Sequence, residues 1–202
     1  MIVAQAFLWF SEHQSAKAFR LHVVSNRHRK LNKMDVFEAI RTRRSIRRYE
    51  NRTVEKDRLT RVLEAARLAP SASNRQPWSF IVVTEPEMRE KLRAAYNRDW
   101  FVTAPVIIVA CVAPGMAWSK EGEEYSKVDV SIAMEHLILT AWELGLGTCW
   151  IAAFKEQEVK NVLGIPDSVR VIAMTPLGYP AEQKDPVTDR KPLDTIVRYE
   201  HW

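Results

Sequence analysis

The chain has 202 residues, a formal net charge of +5, 47% apolar and 27% charged residues, which is ordinary globular composition and excludes general disorder. That length suits one domain with an appendage. Two cysteines, Cys111 and Cys149, are too few for a disulfide framework and point to a reducing, cytoplasmic compartment. The longest apolar stretch, Ala104–Ala113, contains Pro105 and is about half the roughly 20 residues a spanning helix needs, so no membrane association is expected.

Charge divides the chain in two. Residues 1–33 carry six bases (Lys17, Arg20, Arg27, Arg29, Lys30, Lys33) against the single acid Glu12, a surplus of five that equals the net charge of the whole chain. Residues 34–202 are therefore neutral and give no electrostatic reason to expect nucleic acid as a partner. The leader reads as a basic, non-essential extension, with Met34 as the natural start. A transit-like presequence and a phosphate-touching arm are the alternatives. Gln5–Leu21 has enough apolar residues to form a helix that packs.

From Met34 the pattern alternates between helix and strand. Asp35 caps a helix through Ile40, and Thr53 caps a second to about Leu68, stopped by Pro70. Ser79–Thr84 reads as a strand, and Pro86 opens a helix carrying Met88, Leu92 and Ala95. Val106–Val112 is a continuous apolar run, the mark of a strand buried on both faces. Ser126–Leu144 predicts a helix apolar on nearly every side, buried in a core or at a subunit interface, and closed by Gly145. Thr148–Ile151 is a strand, Lys155–Leu163 a helix ended by Gly164, and Arg170–Thr175 a further buried strand. The class is α+β.

Dinucleotide, phosphate-loop, HExxH and CxxC signatures are absent, and no metal is expected. Two clusters stand out. Arg41-Thr-Arg43-Arg44-Ser45-Ile-Arg47-Arg48-Tyr49 places several guanidinium groups and a hydroxyl where a phosphate dianion would be gripped by bidentate donors. Ala69-Pro70-Ser71-Ala72-Ser73-Asn74-Arg75-Gln76-Pro77-Trp78 offers small residues, hydroxyls and amides to a planar polar ligand. Read alone, the first is also a solvated basic turn and the second an ordinary helix-to-strand turn.

Together, and followed by Gly145-Leu-Gly147-Thr148-Cys149-Trp150-Ile151 and Asp189-Arg190-Lys191-Pro192-Leu193, these motifs make residues 34–200 resemble the nitroreductase family of flavin mononucleotide (FMN) oxidoreductases. The resemblance implies a nitroreductase-like central sheet flanked by helices, with the long buried helix at a homodimer interface. It implies one FMN per site and NADH or NADPH as reductant. Nitroaromatics, quinones or flavins are the implied small-molecule acceptors, reduced in ping-pong order.

By position, Arg43, Arg44, Ser45 and Arg47 match the groups that hold the FMN phosphate and the polar edge of the ring, with Arg190 and Lys191 arriving from the tail. Pro70, Ser71, Ala72 and Asn74 resemble the stretch lent by the opposite subunit. Asn97 matches an amide at the pyrimidine edge. Trp150, Ile151, Ala152 and Ala153 fall where the family lays backbone over the ring and offers a peptide N–H. No catalytic side chain is implied, because the flavin carries the chemistry.

Two features depart from larger members: a short connection at Ala113–Tyr125, and Ala152 in place of an acid. Cys111 and Cys149 read as packing residues, and His136 as a hydrogen-bonded core or interface histidine. Glu121, Glu123 and Glu124 read as solvated loop charge. Rival readings are a flavin-binding module without turnover, a flavin-remodelling or dehalogenating member, and a phosphate- or RNA-binding protein that uses the leader and Arg41–Arg48.

Overall fold

A computed structural model describes residues 34–202, so the expectations for residues 1–33, including the Gln5–Leu21 helix, lie outside the described residues. Helix α1 (Val36–Thr42) starts as expected on Asp35, whose carboxylate accepts the Glu38 N–H at 2.8 Å. Helix α2 (Lys56–Arg67) starts two residues later than the Thr53 cap predicts, with Glu55 at the N-cap position and no side-chain cap. The Glu55 carboxylate is engaged elsewhere, by the Tyr179 hydroxyl and by Arg52 at 2.7 Å.

Strand β1 (Trp78–Val83) precedes α3 (Pro86–Lys91), which tightens into a 3₁₀ turn over Leu92–Ala94 rather than continuing as one helix. A short α4 (Asp99–Val102), with no strong sequence signal, leads into β2 (Val106–Val112). The connection that follows carries a small hairpin, β3 (Ser119–Lys120) and β4 (Glu123–Glu124), where sequence suggested a plain loop. Glu121 and Gly122 make its tip, both at positive φ, and the three glutamates are exposed as expected.

Helix α5 (Ser126–Glu143) spans 18 residues. Gly145 ends it in a left-handed conformation, with Gly145 N–H donating to Trp142 O and Leu146 N–H to Ala141 O, the paired bonds of a Schellman stop. Strand β5 (Gly147–Thr148) is shorter than the expected Thr148–Ile151: the chain leaves the ladder at Cys149 and touches it again at Ile151, opposite Met174. Helix α6 (Glu156–Leu163), β6 (Arg170–Gly178) and a single turn α7 (Leu193–Ile196) complete the described chain.

The sheet order is β1-β2-β6-β5, antiparallel throughout. All seven residues of β2 are buried, and their alternation feeds two cores. Val106, Ile108, Ala110 and Val112 face a cluster with Val62 and Ala66 of α2 and with Val130, Ala133, Met134, Leu137 and Ala141 of α5. Ile107, Val109 and Cys111 belong to the other cluster, with Leu92, Phe101, Val159 and Ile165. Helices therefore cover both faces, and this sandwiching explains why β2 shows no polar alternation in sequence.

Candidate active site

The site is built where the segment after α1 meets the segment after α5. Thr42 closes α1 by donating its hydroxyl to Glu38 O (2.6 Å) while accepting the Trp142 indole N–H (2.9 Å), which fixes the end of α1 to α5. Arg43 then turns extended, Ser45 pairs with Thr148 as a parallel bridge, and Ile46 N–H donates to Thr148 O at 2.8 Å. Ile46 is buried against Gly147, where a Cβ would stand 2.6 Å from the isoleucine side chain. Glycine at 147 is thus what lets the arginine segment dock on β5.

Docking opens a cavity of about 230 Å³ lined by Arg43, Arg44, Ser45, Glu135, Ile138, Thr148 and Trp150. Two arginines, a serine and a threonine are thus among its lining residues, together with Trp150, which is 37% exposed. Glu135 is the acid of this lining. Its side chain is exposed, yet desolvation by the neighbouring protein raises its carboxyl above the ordinary carboxylate value, against the pull of Arg43 and His136.

The arginine segment is held from behind by two residues that follow β6. Lys184 Nζ donates to Ser45 O at 2.8 Å and pairs with Glu182 at 2.8 Å, and Arg47 N–H donates to Glu182 Oε1 at 2.6 Å. Burial pushes the Glu182 carboxyl up, but the Arg47 amide and the Lys184 ammonium outweigh it and hold the group below its ordinary range. Neither Glu182 nor Lys184 carries a sequence signal, since the Arg47–Glu182 contact spans 135 residues. Thr148 and Glu135 were likewise unmarked, although Thr148 lies inside a quoted motif.

The other expected residues distribute as follows. Arg47 does not line the cradle: its guanidinium lies 5.7 Å from the centre of the Trp100 ring, beside the stretch that carries exposed Asn97. Ile151 is buried and gives its N–H to Met174 O (2.9 Å), so that peptide group is used within the sheet. Ala152 and Ala153 are exposed. Pro70, Ser71, Ala72 and Asn74 form a separate surface loop that contributes nothing to the lining of the cradle. Arg190 and Lys191 lie exposed in the tail, also away from that lining. Cys111 is buried, and burial pushes its thiol up to about 11, which suits a packing role.

Residues 40–100 and 92–179 match the model of the nitroreductase family. The chain belongs to the nitroreductase family. It is 36% identical over 180 residues to a provisionally named NADH dehydrogenase/NAD(P)H nitroreductase of Methanothermobacter thermautotrophicus, a match covering 87% of this chain and 89% of that one. A more distant relative is human iodotyrosine deiodinase 1, 26% identical over 195 residues, covering 81% and 68% of the two chains. Among solved structures, a nitroreductase family protein of Clostridium difficile superposes with a TM-score of 0.78 at 34% identity, covering 84% of this chain and all of that one. An FMN-dependent nitroreductase of the same species gives 0.70 at 31% identity, over 81% and 98% of the two chains. The mixed α+β fold with an antiparallel sheet between helices is thus the nitroreductase fold.

The cradle suits an FMN phosphate on chemical grounds. Arg43 and Arg44 offer positive charge and Ser45 and Thr148 offer hydroxyl groups among the lining residues.

Proposed function

We propose that this nitroreductase-family protein is an FMN-dependent oxidoreductase that uses NADH or NADPH to reduce electron-poor acceptors, and that it works as a homodimer in the cytoplasm. The observation that carries this reading is the Arg43–Arg44–Ser45 cradle locked to Thr148 by the Ile46 backbone bond and the glycine at 147. A flavin held there supplies hydride and electron transfer without a catalytic side chain. The protein's share is binding and electrostatics. Arg43, Arg44, Ser45 and Thr148 take the phosphate, with Arg190 and Lys191 as further partners from the tail. Arg47 and Asn97 serve the pyrimidine edge, where positive charge and amide donors favour the reduced, more anionic ring. With the Ile151 N–H already engaged, the peptide donor to the ring falls to Trp150, Ala152 or Ala153.

The cavity in one chain, about 230 Å³, is smaller than the roughly 300–1,000 Å³ of ligand sites, which supports a site completed by a second copy. In that dimer the Pro70–Asn74 loop of one protomer serves the cradle of its partner. An open wall around Trp150 suits ping-pong order, with the nicotinamide donor leaving before a nitroaromatic, quinone or flavin acceptor enters. The two free, buried cysteines support the reducing compartment. A dehalogenating role has weaker support, since the deiodinase relative is 26% identical against 36% for the nitroreductase-named one.

The test is a visible spectrum of the purified protein before and after NADH or NADPH without oxygen. Flavin bands that bleach support the reading. Bound flavin that neither reductant bleaches favours the non-turnover module. A protein that stays colourless after incubation with FMN overturns the flavin assignment altogether.

A further inference from the structure

One buried acid has no part in the cradle. Asp129, in the first turn of α5, is 2% exposed. Its Oδ1 accepts the Ala72 N–H at 2.9 Å, while Oδ2 is buried with no hydrogen-bond partner among the described residues. Burying a carboxylate with one oxygen unmatched is unfavourable, even with the positive end of an 18-residue helix beside it. The adjoining residues of α5 that enter the core are apolar, so packing alone calls for a hydrocarbon side chain here. What the carboxylate adds is an acceptor for Ala72.

That amide opens a strained turn. Ser73, Asn74 and Gln76 all adopt left-handed backbone conformations (φ 51°, 52° and 49°), which non-glycine residues hold only when neighbours over-determine them. Ser71 Oγ accepts the Gln76 N–H (2.9 Å), and Arg75 donates to Ala117 O (3.0 Å). The first bond lies within the loop and the second reaches the stretch just before the β3–β4 hairpin. The Asp129 bond ties the loop to a core helix.

We propose that Asp129 is a positioning residue, holding Ser71–Gln76 in the one shape that presents its hydroxyl, amide and backbone groups to a ligand. Under the reading above, on which this half of the inference rests, that ligand is the flavin of the partner protomer.

The test compares full-length wild type with D129L, which matches the shape without the acceptor, and D129N, which keeps it. Each is measured by amide hydrogen exchange over residues 71–77, by thermal midpoint, and by FMN titration followed through flavin fluorescence. Replacing a poorly paired buried charge by a hydrocarbon is commonly neutral or stabilising, so D129L is expected to keep or raise the midpoint. Its loop amides should nevertheless exchange about tenfold faster or more and its FMN Kd rise about tenfold or more, with D129N within about threefold of wild type on both. Stability and loop order then move in opposite directions, which a merely structural residue would not produce. A D129L protein with wild-type exchange and FMN affinity, one that loses its whole fold, or a D129N protein as impaired as D129L overturns the inference. Wild type that takes up no FMN removes the flavin reading, and the exchange contrast alone then decides whether Asp129 holds the loop.

Discussion

At the scale of single residues, the cradle depends on one missing side chain and a few guanidinium groups. An alanine at 147 would place its Cβ 2.6 Å from Ile46, a fully buried residue that cannot move aside. G147A should therefore push the Arg43–Ser45 segment off β5, lowering stability by about 1–3 kcal/mol and weakening FMN retention. Denaturant midpoints and flavin content after gel filtration would show both, and wild-type values for both would refute the docking argument. The arginines make a second prediction. Charge-assisted contacts are worth about 1.5–3 kcal/mol each, so R43A/R190A should weaken FMN binding by two orders of magnitude or more, measured by equilibrium dialysis. An unchanged affinity would contradict the phosphate assignment. Arg43, Arg44, Ser45 and Trp150 were legible because they sit in contiguous motifs. Glu182 and Lys184 were not, because their role exists only once β6 returns the chain to the arginine segment, and no local pattern encodes that meeting.

At the scale of elements, periodicity marked the cores of helices and strands well and their ends less well. Thr53 is a sound cap by local chemistry, yet α2 begins at Lys56 because tertiary partners fix Glu55: its carboxylate takes the Tyr179 hydroxyl and Arg52, whose guanidinium carbon lies 3.7 Å from the centre of the Tyr179 ring. Likewise β5 stops early because Cys149 gives its N–H to the Thr175 hydroxyl (3.2 Å) instead of a ladder carbonyl. The Glu55 arrangement has a consequence in acid. The hydrogen bond from Tyr179, then the local backbone and Arg52, lower its carboxyl from 4.5 to about 2. A group depressed on folding contributes stability that is present above its unfolded value and is lost as pH falls toward the folded one. Stability from this group should thus be full above about 4.5 and gone by about 2, and E55Q should lose that part of the acid dependence. Urea unfolding of both proteins across this range would check it. Parallel curves would show that the contact contributes nothing measurable, as exposed pairs often do.

At the scale of the molecule, α5 bears on two questions, what the long apolar helix is for and how a neutral body would bind the anionic cofactor of the proposed function. Its buried side packs on β2 and α2, and the face carrying Lys127, Val128, Ser131, Ile132 and Glu135 borders an open depression of about 460 Å³. Glu135 lines both that depression and the arginine cradle. Helix α1, which packs against α5, leaves Val36, Phe37 and Ile40 exposed, Phe37 at 73%. Apolar side chains grouped in this way mark association surfaces more often than solvent-facing ones. Under the proposed function, neutrality of the body is no obstacle, because Arg43 and Arg44 of the cradle would meet the anion locally, beside a face that a second copy would cover. Placing a carboxylate on that face tests the connection directly. If the proposed dimer forms through this face, F37D should shift the protein toward monomer, and the monomer should lose FMN together with its second subunit. Sedimentation velocity at several protein concentrations, with absorbance read at both protein and flavin wavelengths, would follow the two losses in one experiment. Monomers that keep stoichiometric flavin would show that one chain completes the site alone, and a dimer unaffected by F37D would place the interface on another face.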